Sequence, residues 1–152
     1  MKKILSGFLA AVLCLSLTAC GGDKKEAALV PADTAKALMD GGAFSESLTE
    51  IDKATACTLY GIDEATVTDS AVYGSTGATA EEVAVFTFDN SDDATAALTA
   101  LETRVTDRKD ALKDYQPAEI TKLDGAITEA RGNSVLLVVA SDYDAAKKAL
   151  GE

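Results

Sequence analysis

Cysteine is the residue type whose position in this sequence most clearly indicates a chemical role. Cys20 follows the small residues Thr18 and Ala19. The upstream segment has two lysines at positions 2 and 3 and a mostly apolar run over residues 4–15, which is the order of a secretory signal. This run is shorter than the roughly 20 residues that a membrane-spanning helix needs. A cysteine at the end of such a signal presents its thiol, a nucleophile, for covalent modification.

The segment Leu17-Thr18-Ala19-Cys20 resembles the lipobox of bacterial lipoproteins. The resemblance implies cleavage between Ala19 and Cys20, transfer of a diacylglyceryl group to the Cys20 thiol, and acylation of the new amino terminus by a chain such as palmitate. Each buried CH₂ of an acyl chain contributes about 0.8 kcal/mol, so two or three chains hold a protein on a membrane. We therefore predict a signal peptide over residues 1–19 and a lipid anchor at Cys20, on the extracytoplasmic face of the cell membrane. The alternative is an ordinary secreted protein with a chance cysteine at this position.

The charge of the chain excludes one large class of partner. The full chain has a formal net charge of −11, and removal of the two signal-peptide lysines would bring it to −13. Such an acidic surface repels phosphate backbones, and no basic stripe offsets it, so we expect no nucleic-acid partner. The same charge disfavours binding to anionic lipid, which leaves Cys20 as the predicted membrane attachment.

The counts of histidine and cysteine limit the catalytic chemistry of the mature domain. There is no histidine, which excludes Ser-His-Asp and Cys-His catalysis within the chain and disfavours a zinc site. Cys57 would be the one free thiol after processing, and its small, apolar neighbours favour a buried, inert cysteine over a reactive one. Asp89, Asp92 and Asp93 lack the spacing of a calcium loop, so we predict that they cap a helix. We expect no metal, no other cofactor and no enzymatic activity.

Three charged residues form a candidate ligand or ion-pair site: Glu82, Arg104 and Arg108. Arg108 interrupts the apolar seam of a long predicted helix and has no acid three or four positions away to pair with. Its guanidinium must therefore reach solvent, a sheet carboxylate such as Glu82, or a bound anion. Arg104 has Asp107 as a local partner on the same helix. Glu81 and Glu82 cannot act together as the acid and base of a glycosidase, because consecutive strand residues point to opposite faces.

Hydrophobic periodicity predicts the elements that position these residues. Two short helices, over residues 33–39 with Asp33 as cap and over residues 51–60, each end at glycine. Two hairpins follow, with strands over 67–73 and 82–89 and over 126–131 and 134–140, the second pair joined by a two-residue turn at Gly132-Asn133. A long helix begins at Asn90, ends at or before Pro117, and carries the apolar seam Leu98, Leu101, Val105, Leu112 and Tyr115. A final helix runs through residue 150.

This order of elements predicts an α+β fold. One domain over residues 31–152 would follow a flexible, charged tether over residues 20–30. After the two short N-terminal helices, two ββα units would form a four-stranded, mainly antiparallel sheet with helices on one face. The run over residues 135–139 is apolar on both faces, which predicts a central strand.

Several short motifs, in order along the chain, are similar to those of a known family. They are Glu82 at a strand start, Arg104 in the long helix, Tyr115-x-Pro117-x-Glu119, and Gly132-Asn133 before a strand rich in valine and leucine. From about Ala32 onward the chain resembles the lipoproteins of domain of unknown function 4358, found in Gram-positive anaerobic bacteria such as clostridia. The resemblance implies no particular activity. Members of that family often carry a glutamine where this chain has Arg108.

Two functions of different classes follow from these observations. We expect a non-catalytic binding or assembly module at the outer face of the cell membrane, which uses an exposed sheet face or a hairpin edge to contact a cell-envelope protein, a peptide or a wall component. The alternative is a small cell-envelope hydrolase or a small-anion-binding protein with a site near Arg108 and Glu82. A pocket that holds both residues would favour the alternative, and a surface Arg108 beside an apolar, free sheet face would favour the module.

Overall fold

The structure, a computed structural model, describes residues 27–152. The predicted signal peptide, the cleavage site at Ala19 and Cys20, and the first part of the predicted tether lie outside the described residues. Contact with the domain begins before the first helix, because Leu29 N donates a 2.8 Å hydrogen bond to Ser134 Oγ and the Leu29 side chain packs against the core. None of the helices in residues 27–152 combines the length and the apolar character needed to cross a membrane.

The described chain forms a sheet and a set of helices whose order matches the predicted succession apart from one added strand, β1, and one added short helix, α4. The elements are α1 (Pro31–Asp40), β1 (Thr49–Ile51), α2 (Lys53–Tyr60), β2 (Val67–Gly74), β3 (Glu82–Phe88), α3 (Ser91–Leu112), α4 (Ile120–Asp124), β4 (Ile127–Arg131), β5 (Ser134–Val139) and α5 (Tyr143–Leu150). Short 3-10 turns lie at Glu64–Thr66 and Pro117–Glu119.

Side-chain caps fix the starts of the helices that carry or support the site. Asp52 accepts a hydrogen bond from Thr55 N at the start of α2, and Asn90 accepts from Asp92 N and Asp93 N at the start of α3. The predicted cap at Asp33 is wrong, because α1 already begins at Pro31, whose fixed φ and missing N–H suit the first helical position. Gly61 ends α2 in the left-handed conformation, at φ 68°, as its sequence position predicted.

The sheet has five antiparallel strands in the order β1-β2-β3-β5-β4. Both predicted hairpins are present, and β5 is central as expected. Arg131 pairs with Ser134, so the two residues between them form the predicted turn, in which Gly132 has a φ of 60°. The predicted number of four strands is wrong, since Thr49–Ile51 adds a fifth at the edge by pairing with β2. Three residues are too few to show alternation, so this strand depends on its partner rather than on its own pattern.

Helices cover both faces of the sheet, which corrects the prediction that they pack on one. α2, α3 and α4 pack on the face that carries Ala84, Phe86 and Phe88, the three residues predicted to share a face. α1 and α5 pack on the opposite face, against Val83 and Val85. The cause is that β3 and β5 are apolar at nearly every position, so both of their faces must be removed from water.

The buried seam of α3 differs in part from the predicted one. Leu101 and Val105 are buried as expected, with Ala94 and Ala97 completing the contact. Tyr115 is 81% exposed, and its predicted place in the seam is wrong. The helix ends at Leu112, so Tyr115 lies in the turn that leads to Pro117 and no longer follows the helical period.

Candidate functional site

A groove with a volume of about 720 Å³ lies between α2 and α3. We call it the α2/α3 groove. It is lined by the end of α2 and by one side of α3, at Thr58, Leu59, Tyr60, Gly61, Ala96, Thr99, Ala100, Thr103, Arg104, Asp107, Arg108 and Ala111. Alanine and threonine predominate on the α3 side, and such small side chains cannot fill the space between two helices. The sequence of α3 therefore opens the groove, and its two arginines provide the charge within it.

A buried charged cluster forms the inner boundary of this groove. Glu82, at the start of β3, is 3% exposed, and its Oε2 atom accepts three hydrogen bonds. Arg104 donates two of them, from Nε at 2.9 Å and Nη2 at 2.7 Å, and the Tyr60 hydroxyl donates the third at 2.8 Å. The Arg104 guanidinium also lies over the Tyr60 ring, 4.4 Å from its centroid. Glu82 thus binds the arginine and the tyrosine that face it across the helix–sheet layer.

The surroundings fix the protonation states of both donors. Burial raises the pKa of the Tyr60 hydroxyl well above its ordinary value, and the neighbouring Glu82 charge raises it further. Burial acts to lower the pKa of Arg104, but the Glu82 carboxylate outweighs burial and the pKa is raised. Tyr60 is therefore a neutral hydroxyl and Arg104 a cation at any physiological pH, so both are fixed hydrogen-bond donors.

Arg108 lies one turn beyond Arg104 on α3 and lines the same groove. It contacts neither Glu82 nor any other carboxylate: no hydrogen bond or ion pair joins it to any of residues 27–152. The Nε atom of Arg108 is buried and lacks a hydrogen-bond partner. The Oε1 atom of Glu82 is also buried without a partner. The structure therefore brings Glu82 and Arg104 together and leaves Arg108 beside them in the groove. The local pair that the sequence offered, Arg104 with Asp107, does not form.

Glu81, the residue before Glu82, begins a second, separate charged cluster. Its buried carboxylate accepts from Ser45 Oγ at 2.6 Å and Ser45 N at 3.0 Å, and forms an ion pair with Lys122 at 3.1 Å. Lys122 also pairs with Glu119, which accepts a 2.7 Å hydrogen bond from Ala80 N. Burial acts to raise the pKa of Glu81, but the hydrogen bonds from Ser45 and Lys122 outweigh it, and the pKa lies below its ordinary value. Glu81 precedes β3, which begins at Glu82, and the two acids have separate sets of partners.

Sequence reasoning missed Tyr60 and Lys122. Tyr60 could have been found, because it follows Ala56 and Cys57 by four and three positions on α2 and must share their buried face. A buried tyrosine hydroxyl needs a polar partner, and Glu82 is the acid that starts the facing strand. Lys122 gave no comparable signal, since it lies in the five-residue helix α4, which is too short for periodicity to place a side chain.

The remaining sequence predictions concern thiol and metal chemistry. Cys57 is buried as predicted, and burial raises the pKa of its thiol, which keeps it protonated. The cap of α3 is Asn90 rather than the three aspartates, and Asp92 and Asp93 lie in the first turn, where their backbone N–H groups donate to the Asn90 side chain. Within residues 27–152, no three acids, cysteines or histidines come together as metal ligands.

Comparison with known families supplies one match. The family described as Domain of unknown function (DUF4358) matches residues 42–140, which confirms the family predicted from the order of the motifs. The matched range contains the whole sheet, the α2/α3 groove and the clusters of Glu81 and Glu82, and it excludes α1, α5 and Cys20. No curated protein and no solved structure shows significant similarity to the chain.

Proposed function

We propose that this chain, which belongs to the DUF4358 family, is a lipid-anchored, non-catalytic binding module at the outer face of the cell membrane. The Cys20 thiol would carry the lipid, and the α2/α3 groove would take the ligand, a component of the cell envelope such as a peptide or part of a partner protein. The order of charged residues, apolar run, small residues and cysteine at the amino terminus supports the anchor.

The observation that carries the binding function is the partnerless guanidinium of Arg108 in the groove. The chain has 25 acidic and 14 basic residues, so carboxylates are abundant. The partly buried Arg104, Lys122 and Arg131 each contact at least one of them, and the partly buried Lys53 donates to the Val67 carbonyl oxygen. Arg108 contacts none within residues 27–152 although it is shielded in part from water. A guanidinium that is ordered against the protein but unpaired is available to a ligand.

The chemistry of the groove supports binding rather than catalysis. A general base must accept a proton, yet the Glu82 oxygen that faces Tyr60 and Arg104 already accepts three hydrogen bonds. Tyr60 and Arg104 are held in their protonated forms by their surroundings. The Cys57 thiol is buried and its raised pKa disfavours the nucleophilic thiolate. These groups can position a ligand without reacting with it.

The groove also replaces the sheet face as the proposed contact surface. An exposed sheet face was one expected binding surface, but helices cover both faces of the sheet. Leu59, at 45% exposure, provides an apolar contact at the rim of the groove, next to the polar groups inside. This combination of an apolar rim and a few converging polar groups is typical of ligand sites.

The anchor is tested by membrane fractionation of the full chain and its Cys20→Ala variant. We expect the full chain in the membrane fraction, with the mass of a lipid-modified protein that begins at residue 20. The Cys20→Ala variant should lose both the mass increase and the membrane association. Equal membrane association of the two proteins would contradict a lipid anchor at this cysteine.

Binding is tested by affinity selection with the full chain in mild detergent. Immobilised protein is exposed to a cell-envelope extract, and the retained components are identified by mass spectrometry. The comparison includes Arg108→Gln and, as a control, Lys147→Gln, which removes the same charge from an exposed position on α5. We expect at least one component to be retained by the unaltered chain and by Lys147→Gln but lost with Arg108→Gln. Identical retention by all three proteins would overturn the groove as the binding site.

A further inference from the structure

We propose that the α2/α3 groove binds a small organic acid with one carboxylate and an apolar body, and that Arg108 binds the carboxylate. This inference rests on the proposed function, because it assigns a chemical class to the ligand of the same groove. It is carried by the charges that line the groove, by the shape of the guanidinium and by the apolar residues around it.

The charges of the groove match a ligand with a single negative charge. Two cations line it, and one of them, Arg104, is already neutralised by the buried Glu82 carboxylate. Arg108 therefore supplies one unpaired positive charge. Asp107, an exposed residue, lines the same groove and has no partner among the described residues, so its carboxylate repels any ligand charge that is not in direct contact with Arg108. A monocarboxylate satisfies this arrangement, whereas a phosphate or a dicarboxylate would place an extra charge beside Asp107 in an acidic protein.

The guanidinium of Arg108 is suited to a planar carboxylate. Two parallel N–H donors can bind both carboxylate oxygens at once, which gives such pairs their strength and orientation. Because Nε is buried against the protein, the ligand would meet the outer edge of the guanidinium, at the two Nη atoms. The neighbouring Arg104 cannot compete for the ligand, since its Nε and Nη2 atoms already donate to Glu82.

Four of the residues that line the groove favour an apolar ligand body. Leu59 lies on the α2 side, and Ala96, Ala100 and Ala111 lie on the α3 side. These side chains offer methyl and methylene contacts and present no hydrogen-bonding groups. The volume of about 720 Å³ falls within the range of roughly 300–1,000 Å³ that is usual for small-molecule sites. A chain of several CH₂ groups attached to the carboxylate would contact this surface while its charge remained on Arg108.

The ligand class is tested by calorimetric titration of the full chain, in mild detergent, with hexanoate and matched probes. Hexanamide has the same body without the charge, hexylamine reverses the charge, adipate adds a second carboxylate, and inorganic phosphate has charge without an apolar body. We expect hexanoate to bind at submillimolar to millimolar concentration and to bind more tightly than each of the four other probes. Equal or tighter binding of hexanamide, hexylamine, adipate or phosphate would overturn the proposal.

Variants then assign the binding to the guanidinium. Arg108→Gln should weaken hexanoate binding about tenfold or more, and Arg108→Lys should restore only part of it because an ammonium lacks the two parallel donors. Asp107→Asn should reduce the difference in binding affinity between hexanoate and adipate. Lys147→Gln, the exposed control on α5, should bind hexanoate as the unaltered chain does. An unchanged affinity in Arg108→Gln, with the fold intact by circular dichroism, would also overturn the proposal.

The outcomes separate this inference from the proposed function. If hexanoate fails to bind while an envelope component is retained in an Arg108-dependent way, the groove is a binding site but the ligand is not a small monocarboxylate. If neither hexanoate nor any envelope component depends on Arg108, the proposed function fails with the inference.

Discussion

Two consecutive acids, Glu81 and Glu82, begin two separate charged clusters, and the clusters differ in how completely their polar atoms are paired. Both carboxylate oxygens of Glu81 have partners, from Ser45 and Lys122. Glu82 places all three of its hydrogen bonds on one oxygen, and its other oxygen is buried without a partner. Arg108, close to the second cluster on α3, has an unpartnered buried nitrogen as well.

The difference indicates separate roles for the two clusters. The Glu81 cluster joins the loop after α1, the start of β3 and the helix α4, so a complete set of partners stabilises the packing of three segments. The Glu82 cluster lies beside an open groove. A buried polar atom without a partner costs about 1–3 kcal/mol, and the binding of another molecule is one way in which such a cost is offset.

The largest effect is expected from Arg104→Met, which leaves the Glu82 carboxylate buried without its cation. Removing one partner of a buried ion pair costs about 3–5 kcal/mol of unfolding free energy. Urea unfolding followed by circular dichroism measures it. The double variant Glu82→Met with Arg104→Met should recover more than half of the loss, because no charge is then left unpaired. A loss below about 1 kcal/mol for the single variant would show that the pair contributes little.

A smaller loss of unfolding free energy is expected when the Glu81 cluster, whose carboxylate oxygens both have partners, is altered. Glu81→Gln should lower the unfolding free energy by about 1–3 kcal/mol, since the amide cannot accept all the hydrogen bonds of the carboxylate. The loss should be smaller than that of Arg104→Met because Lys122 keeps its second partner, Glu119. The matched control Glu50→Gln, at an exposed position of β1, should change stability by no more than about 0.5 kcal/mol. Equal losses of unfolding free energy in Glu81→Gln and Glu50→Gln would contradict a structural role for the cluster.

Low pH should also weaken the Glu81 cluster, because protonation of the Glu81 carboxylate removes its charge. The folded pKa of Glu81 lies below the ordinary value of 4.5, so folding favours the ionised form. Its contribution to stability is therefore complete above pH 4.5 and is lost as the pH falls through the folded pKa. Urea unfolding of the unaltered chain and of Glu81→Gln at a series of pH values should give a stability difference that shrinks on acidification. A difference that stays constant below pH 4 would contradict this assignment of the pKa shift.

The smallest expected change is a gain, rather than a loss, of unfolding free energy. Arg108→Met makes the same substitution as Arg104→Met, one turn further along α3, but it removes a buried nitrogen that has no partner. We expect a gain of up to about 1 kcal/mol in unfolding free energy together with the loss of ligand retention. Thermal or urea unfolding of the two variants side by side measures the contrast. A destabilisation by Arg108→Met comparable to that of Arg104→Met would mean that Arg108 is a structural residue.

Much of the secondary structure could be predicted because it depends on short-range patterns. The caps at Asn90 and Asp142, the turn at Gly132 and the alternation in β3 all act within a few residues. The strand β1 could not be found in this way, since its three residues become a strand only through β2. The second covered face was also missed, although Val83 and Val85 carried the signal: apolar residues on both sides of β3 require helices on both.

The site was predictable as a set of residues but not as a set of pairs. Glu82, Arg104 and Arg108 all lie at the helix–sheet layer or in the groove beside it, as their types and spacing suggested. The two arginines are four positions apart on α3 and therefore share a face, so the sequence cannot decide which of them meets Glu82. That choice depends on how far α3 is displaced along β3, which is set by the packing of Leu101 and Val105 rather than by any local motif.

The central pair β3 and β5 also determines the order in which the molecule should open. These strands join positions about fifty residues apart, so neither hairpin completes the centre of the sheet by itself and the pairing is a late, non-local step of folding. Asn133 stabilises the pairing of β3 and β5 by two hydrogen bonds to Phe88. Phe88 N donates to the backbone carbonyl oxygen of Asn133 at 2.9 Å, and the side-chain amide of Asn133 donates to Phe88 O. Covered on both faces, the β3 and β5 amide hydrogens should exchange with solvent only through global unfolding, while the short helix α2 exchanges through local opening. We therefore expect the α2 wall of the groove to open more readily than the sheet behind it.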